Sequence, residues 1–113
     1  MWLEESNLFS SNMHSTRKTC AYLGIETPVR ISSTFAVDHE LKGQEKVLAL
    51  CAAAGAECYV NPIGGIELYS KEAFHLCGID LRFLRSKLFM YPQSAAHFVP
   101  WLSIIDVMMY IRL

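Results

Sequence analysis

Net charge is the first thing this chain lacks. Ten Lys and Arg stand against eleven Asp and Glu, which leaves -1 over 113 residues. No field of one sign draws it toward nucleic acid or an anionic membrane surface. It also lacks a long unbroken apolar run. The most apolar stretch, Phe98 to Ile111, is too short to cross a bilayer and is interrupted by Asp106, so a membrane span is not expected. The opening Met1-Trp2-Leu3-Glu4-Glu5 is acidic and has no basic-then-apolar leader pattern. With no low-complexity segment and no linker, the sequence predicts one domain over residues 1–113. No HExxH and no Ser-His-Asp pattern occurs, so the reaction is not named by a familiar catalytic spacing.

Cysteine is present without a pattern. Cys20, Cys51, Cys58 and Cys77 form no CxxC pair and match no zinc spacing, so no metal is expected. Cys20, Cys51 and Cys77 fall near predicted helix ends and Cys58 falls in a predicted strand. They read as buried free thiols in a reducing compartment, which predicts a cytoplasmic location. None has a histidine or cationic neighbour in sequence that would make it a nucleophile.

What the chain does have is a unit used three times: an amphipathic helix, a glycine, one small or aliphatic residue, then a short apolar strand. It runs through Leu23-Gly24-Ile25 into Pro28–Ser32, through Ala54-Gly55-Ala56 into Cys58–Val60, and through Cys77-Gly78-Ile79 into Asp80–Leu84. Glycine after a helix takes the left-handed turn that other residues resist. Three helix-to-strand steps in one sense imply parallel strands joined by helices. The predicted fold class is therefore α/β, a three-layer-like, short and mostly parallel sheet with crossover helices. Helices are predicted over Asn7–Leu23, Gln44–Ala54 and Ile66–Cys77, with a last one opening at Val99-Pro100.

Such sheets bind ligands at the carboxyl ends of their strands. Asn61-Pro62-Ile63-Gly64-Gly65 leaves a strand there and enters a helix. Asn61, Gly64 and Gly65 are the candidate residues for holding a phosphate or carboxylate, although a plain tight turn would have the same sequence. Lys71 follows within reach of an anion, or is simply solvated. Arg85 closes the third strand at the ligand edge. The last helix is apolar nearly all round, which predicts burial, yet Ser103, Asp106 and Tyr110 recur on one face. Ser103 is a candidate binding residue. Asp106 is a candidate acid–base group, or a partner for a neighbouring element. His97, in the loop before that helix, is a second candidate base.

These residues also carry a resemblance. Tyr59-Val60-Asn61-Pro62-Ile63-Gly64-Gly65, then Leu68-Tyr69, Phe74, Gly78-Ile79, Tyr91-Pro92-Gln93 and Phe98-Val99-Pro100-Trp101-Leu102-Ser103-Ile104-Ile105-Asp106 together resemble the WbqC-like family. Tyr22-Leu23-Gly24-Ile25 and the Lys42–Ala54 helix are similar as well. The resemblance implies a bacterial protein of O-antigen or other surface-polysaccharide biosynthesis that transfers glycine, or a similar aminoacyl group, onto an amino sugar. It implies a nucleotide-sugar or aminoacyl donor as partner, names no cofactor, and gives weight to the Asn61–Gly65 loop and the Pro100–Asp106 helix. Members usually begin with a strand and a His-Gln-Pro-x-Tyr-x-Pro-Trp type motif and close on Asp-x-x-Met-Phe-Asn. This chain has neither, so it reads as the family's carboxyl-terminal portion, an incomplete domain with an altered tail. Such a fragment is expected to leave a sheet edge uncovered and to self-associate. Two readings follow: an acyl or aminoacyl transferase, or a non-catalytic binding and assembly module or truncated remnant of one.

Overall fold

The computed structural model describes residues 6–111. Its elements are α1 (Leu8–Tyr22), α2 (Gly43–Ala54), β1 (Cys58–Pro62), α3 (Lys71–Leu76), β2 (Asp80–Leu84) and α4 (Ile104–Tyr110). They fall into two compact units, one of residues 30–87 and one joining the segments before 30 and after 87.

The glycine signal holds at all three sites. After α2, Ala56 N–H donates to Cys51 O at 2.9 Å and Gly55 N–H to Ala52 O at 3.1 Å. After α3, Ile79 donates to Phe74 O and Gly78 to His75 O, both at 2.9 Å, and after α1, Ile25 donates to Cys20 O at 2.9 Å and Gly24 to Ala21 O at 3.2 Å. These paired bonds satisfy helix-end carbonyls in the Schellman arrangement, which needs a left-handed residue at the turn. Gly55 and Gly78 supply it with φ of 67° and 74°.

In the 30–87 unit this turn delivers the chain into a parallel β1–β2 pair, with Tyr59 opposite Leu81 and Asn61 opposite Phe83. Asp80 N–H opens the ladder by donating to Glu57 O at 2.8 Å. Alternation along the strands sends Tyr59, Asn61, Leu81 and Phe83 to one face. There they meet Cys51 of α2 and Phe74 of α3. Phe74 is the centre, fully enclosed, stacked on Tyr59 at 5.6 Å and met edge-on by Tyr69 at 5.9 Å. Burial, then the neighbouring Tyr69, pushes the Tyr59 hydroxyl above its ordinary pKa. The opposite face, with Val60 and Leu84, lies exposed.

The α/β class and the parallel sense of the sheet are as the sequence predicts. Its extent is smaller, with two strands among the described residues and helices over one face. The expected strand at Pro28–Ser32 does not form. Pro28 has no N–H to give a ladder, Ser32–Thr34 winds into a 3-10 turn, and Thr27, Pro28 and Val29 share a hollow with Arg17 and Cys20 of α1. Helix α3 starts at Lys71 instead of Ile66. The glycine pair favours a 3-10 turn at Ile63–Gly65 over a helix, and Ser70 caps the helix through Ala73 N–H at 3.3 Å. The Gln44 side chain takes the Ser70 N–H at 2.6 Å, tying α3 to the start of α2.

Helix α4 also starts later than expected and is not buried. Trp101 has φ of 61°, which no right-handed helix accommodates, so the helix begins past it at the Ser103 cap. Ile104, Ile105 and Met109 stay exposed, while Asp106, Val107 and Met108 are half-buried. Helix α1 is close to expectation, capped by Asn7, and leaves Phe9 exposed. The cysteines divide: Cys51 is buried, Cys20 half-buried, and Cys58 and Cys77 exposed. Cys58 points to the open sheet face and Cys77 caps the outer end of α3. Burial pushes the Cys51 thiol up, which makes it less reactive.

Candidate functional site

The register places Pro62 opposite Leu84, so Ile63 and Arg85 leave the sheet at the same rim. Asn61, Gly64, Gly65 and Arg85 therefore lie at the carboxyl end of the strands. The loop is held from within. Tyr59 donates its hydroxyl to Asn61 Oδ1 at 3.4 Å. The Asn61 amide lies over buried Gly65, where an added Cβ would run into Asn61 Nδ2. Gly65 is thus fixed by a close side-chain approach. Gly64 has open space around it and Arg85 is exposed, so these two carry no internal duty.

Lys71 does not join that rim. It is the first residue of α3 and lines an open groove of about 900 Å³ at the amino ends of the strands, with Glu57, Glu72, His75 and Asp80 at its sides and Ile79 and Leu81 at its floor. Asp80 is paired there with Arg82 at 2.6 Å. Among the described residues no group of His, Cys, Asp and Glu is arranged to hold a metal ion.

The other unit holds the densest polar network. Asp106 sits in the first turn of α4, at the third helical position after the cap that Ser103 makes with Ile105 N–H at 3.2 Å. Tyr91 donates its hydroxyl to Asp106 Oδ2 at 2.5 Å. Gln93 Nε2 approaches the same oxygen at 3.3 Å and also donates to Val99 O at 2.9 Å, while Val99 N–H returns a bond to Gln93 Oε1 at 2.9 Å. Tyr110 and Ser94 hydroxyls meet at 2.6 Å. The predicted polar stripe on α4 therefore does two jobs visibly: Ser103 caps the helix, and Asp106 and Tyr110 fasten the preceding loop to it. His97 is exposed on that loop, between Gln93 and Val99. Phe89 and Phe98 each lie 5.5 Å from the Tyr91 ring and support it.

Both bonds to Asp106 fall on Oδ2. Its Oδ1 has no hydrogen bond among the described residues and is left to accept one. Sequence reasoning named Asp106 and missed its partners. Tyr91 and Gln93 stood within a motif, but only their spacing from Asp106 in three dimensions gives them a role.

The Tyr91 hydroxyl is raised above its ordinary pKa, first because it donates to Asp106 and then by partial desolvation. A raised folded-state value means the proton is held more tightly in the folded unit. The stabilisation is present below about pH 10, where unfolded tyrosine is still protonated, and is lost as pH climbs through the folded value. Absorbance at the tyrosinate band should show two late-ionising tyrosines in wild type, Tyr59 and Tyr91, of which Tyr91→Phe removes one. An unchanged number of late-ionising tyrosines in Tyr91→Phe would contradict the bond.

No helix among the described residues is long and apolar enough to cross a membrane. Nothing among curated proteins, and nothing among solved structures, matches the chain. The family comparison does match, over residues 2–112, essentially the whole chain and not a portion of it. The loop, the Tyr91-Pro92-Gln93 stretch and the α4 network all lie inside that span, and the protein belongs to the WbqC-like protein family.

Proposed function

We propose that the protein is an aminoacyl transferase acting on the amine of an amino sugar, with glycine as the group transferred, in the making of bacterial surface polysaccharide. The reaction class is the one that the resemblance to the WbqC-like family implies, and membership of that family supports it. The observation that carries it in this chain is Asp106, a half-buried carboxylate with one oxygen held by Tyr91 and Gln93 and the other open. The amine attacks the carbonyl carbon of an activated aminoacyl ester. A C–N bond forms, the C–O bond to the leaving group breaks with its electron pair, and the amine proton passes to Asp106 Oδ1. From there it neutralises the departing oxygen. His97, on the loop that Gln93 and Val99 close, is the second candidate to take that proton.

In the 30–87 unit, Gly64 and Arg85 are the exposed members of the strand-end rim. We assign them to a phosphate or carboxylate, with Asn61 and Gly65 shaping the loop. Titration with a nucleotide-linked amino sugar should give saturable binding that Gly64→Val and Arg85→Ala weaken. Equal binding by both variants, or no binding by wild type, would count against this assignment. Mass analysis of an amino sugar incubated with protein and activated glycine should show one added glycyl group.

The exposed sheet face with Val60 and Leu84 favours a second reading, an assembly module that self-associates through that face. Light scattering separates the two: a monomer at all concentrations removes the second reading.

A further inference from the structure

The Gln93 side chain makes three hydrogen bonds in the terminal unit. Its amide has two N–H donors and one oxygen, and all its groups are engaged: Val99 O at 2.9 Å and Asp106 Oδ2 at 3.3 Å from Nε2, and Val99 N–H at 2.9 Å on Oε1. The reciprocal pair with Val99 copies a backbone bridge, so a side chain closes the loop of residues 94–98. The third bond reaches past the loop to the carboxylate on α4. With Tyr91 on the same oxygen, Asp106 is gripped at Oδ2 from two directions and is prevented from turning. Two donors on one oxygen leave the other as the single open basic position.

We propose that Gln93 is the positioning residue of this site: by joining Val99 to Asp106 it couples closure of the 94–98 loop to the orientation of the carboxylate, so that Oδ1 alone faces a substrate amine and His97 is held on a closed loop. The part about the amine rests on the aminoacyl-transfer reading above; the coupling itself does not. A glutamine suits the task because its planar amide donates and accepts at once and carries no charge beside Asp106. Asparagine is one methylene shorter and does not span both partners. Glutamate at neutral pH loses both donors and sets a second negative charge next to the first.

The discriminating variant is Gln93→Met, which keeps the length and bulk of the side chain and removes its polar atoms. Two separate readouts follow. Exchange of the Val99 amide hydrogen reports loop closure, and ionisation of Tyr91 reports where the Asp106 carboxylate points. In Gln93→Met, Val99 exchange should quicken by on the order of tenfold. Tyr91 should fall back to the ordinary tyrosine range, because the released carboxylate no longer meets its hydroxyl. A glutamine that only closes the loop would quicken Val99 and leave Tyr91 late-ionising, and this result overturns the coupling. In wild type, which needs no variant, the Gln93 side-chain amide protons should exchange more slowly than those of an exposed glutamine. Equal exchange also overturns it. If both readouts move as stated and wild type transfers no glycyl group, the positioning role stands and the transferase reading fails. If wild type does transfer, Gln93→Met should lower kcat and leave KM within about twofold, the mark of a group acting on the reacting atoms through another.

Discussion

Phe74→Ala should unfold the 30–87 unit. Replacing a fully enclosed phenylalanine with alanine costs about 3–5 kcal/mol, and here little else shares the burden. The buried core is Cys51, Phe74, Ile79 and Leu81, and two of the three aromatic pairs in that core include the Phe74 ring. Removing the ring strips Tyr59 and Tyr69 of their stacking partner and opens a void between α3 and the sheet. Small units hold only a few kcal/mol in reserve, so the loss is comparable to the whole. Urea denaturation followed by far-ultraviolet circular dichroism should show the variant without a native baseline at 25 °C. Phe74→Leu, which refills most of the volume, should keep the transition at a lower midpoint. A Phe74→Ala midpoint equal to wild type would mean the core lies elsewhere.

Asp106→Asn should cost on the order of 10²–10⁴-fold in the rate of acyl transfer, the usual worth of a general base. The exchange preserves shape and leaves the Ser103 cap in place, so folding should survive. What disappears is the charge that draws a proton. Tyr91 then donates to a neutral oxygen or loses its acceptor, and its hydroxyl should ionise nearer the ordinary value. The two effects are separable: absorbance of tyrosinate follows the bond, and product mass follows the chemistry. A variant that transfers at the wild-type rate while Tyr91 shifts would keep the Tyr91 bond and remove Asp106 from the chemistry.

The parts of this fold written in the sequence are those set by local chemistry. Gly55 and Gly78 mark helix ends because the turn there is left-handed whatever surrounds it. The strands at Cys58 and Asp80 follow because a Schellman turn with an apolar residue after it aims the chain back along the core. Where the prediction fails, the deciding contact is remote or conformational. Pro28–Ser32 has the apolar pattern of a strand, but a strand also needs a neighbour, and Pro28 offers no donor to one. Trp101 delays α4 through a single dihedral that residue type does not reveal. Lys71 was expected beside the glycine loop and lies instead at the opposite strand ends, because Ile63–Gly65 winds tightly and Gln44 recruits Ser70. Asp106 was legible from the polar stripe on its helix. The grip of Tyr91 and Gln93 on one of its two oxygens was not, since it joins residues 13 and 15 positions away.

The terminal unit is discontinuous, built from segments on either side of residues 30–87. That connectivity sets an order of events during folding. The inner stretch draws its core from residues close together along the chain and can condense alone, as low contact order favours. Once it has done so, the long intervening segment becomes a compact spacer, and the entropy of bringing the outer segments together drops accordingly. Kinetically, contacts between the segments before residue 30 and after residue 87 are therefore late arrivals, whereas the acid–tyrosine pair of Asp106 and Tyr91 lies wholly within the later segment, 15 positions apart, and its absorbance signature should not wait for that closure during refolding.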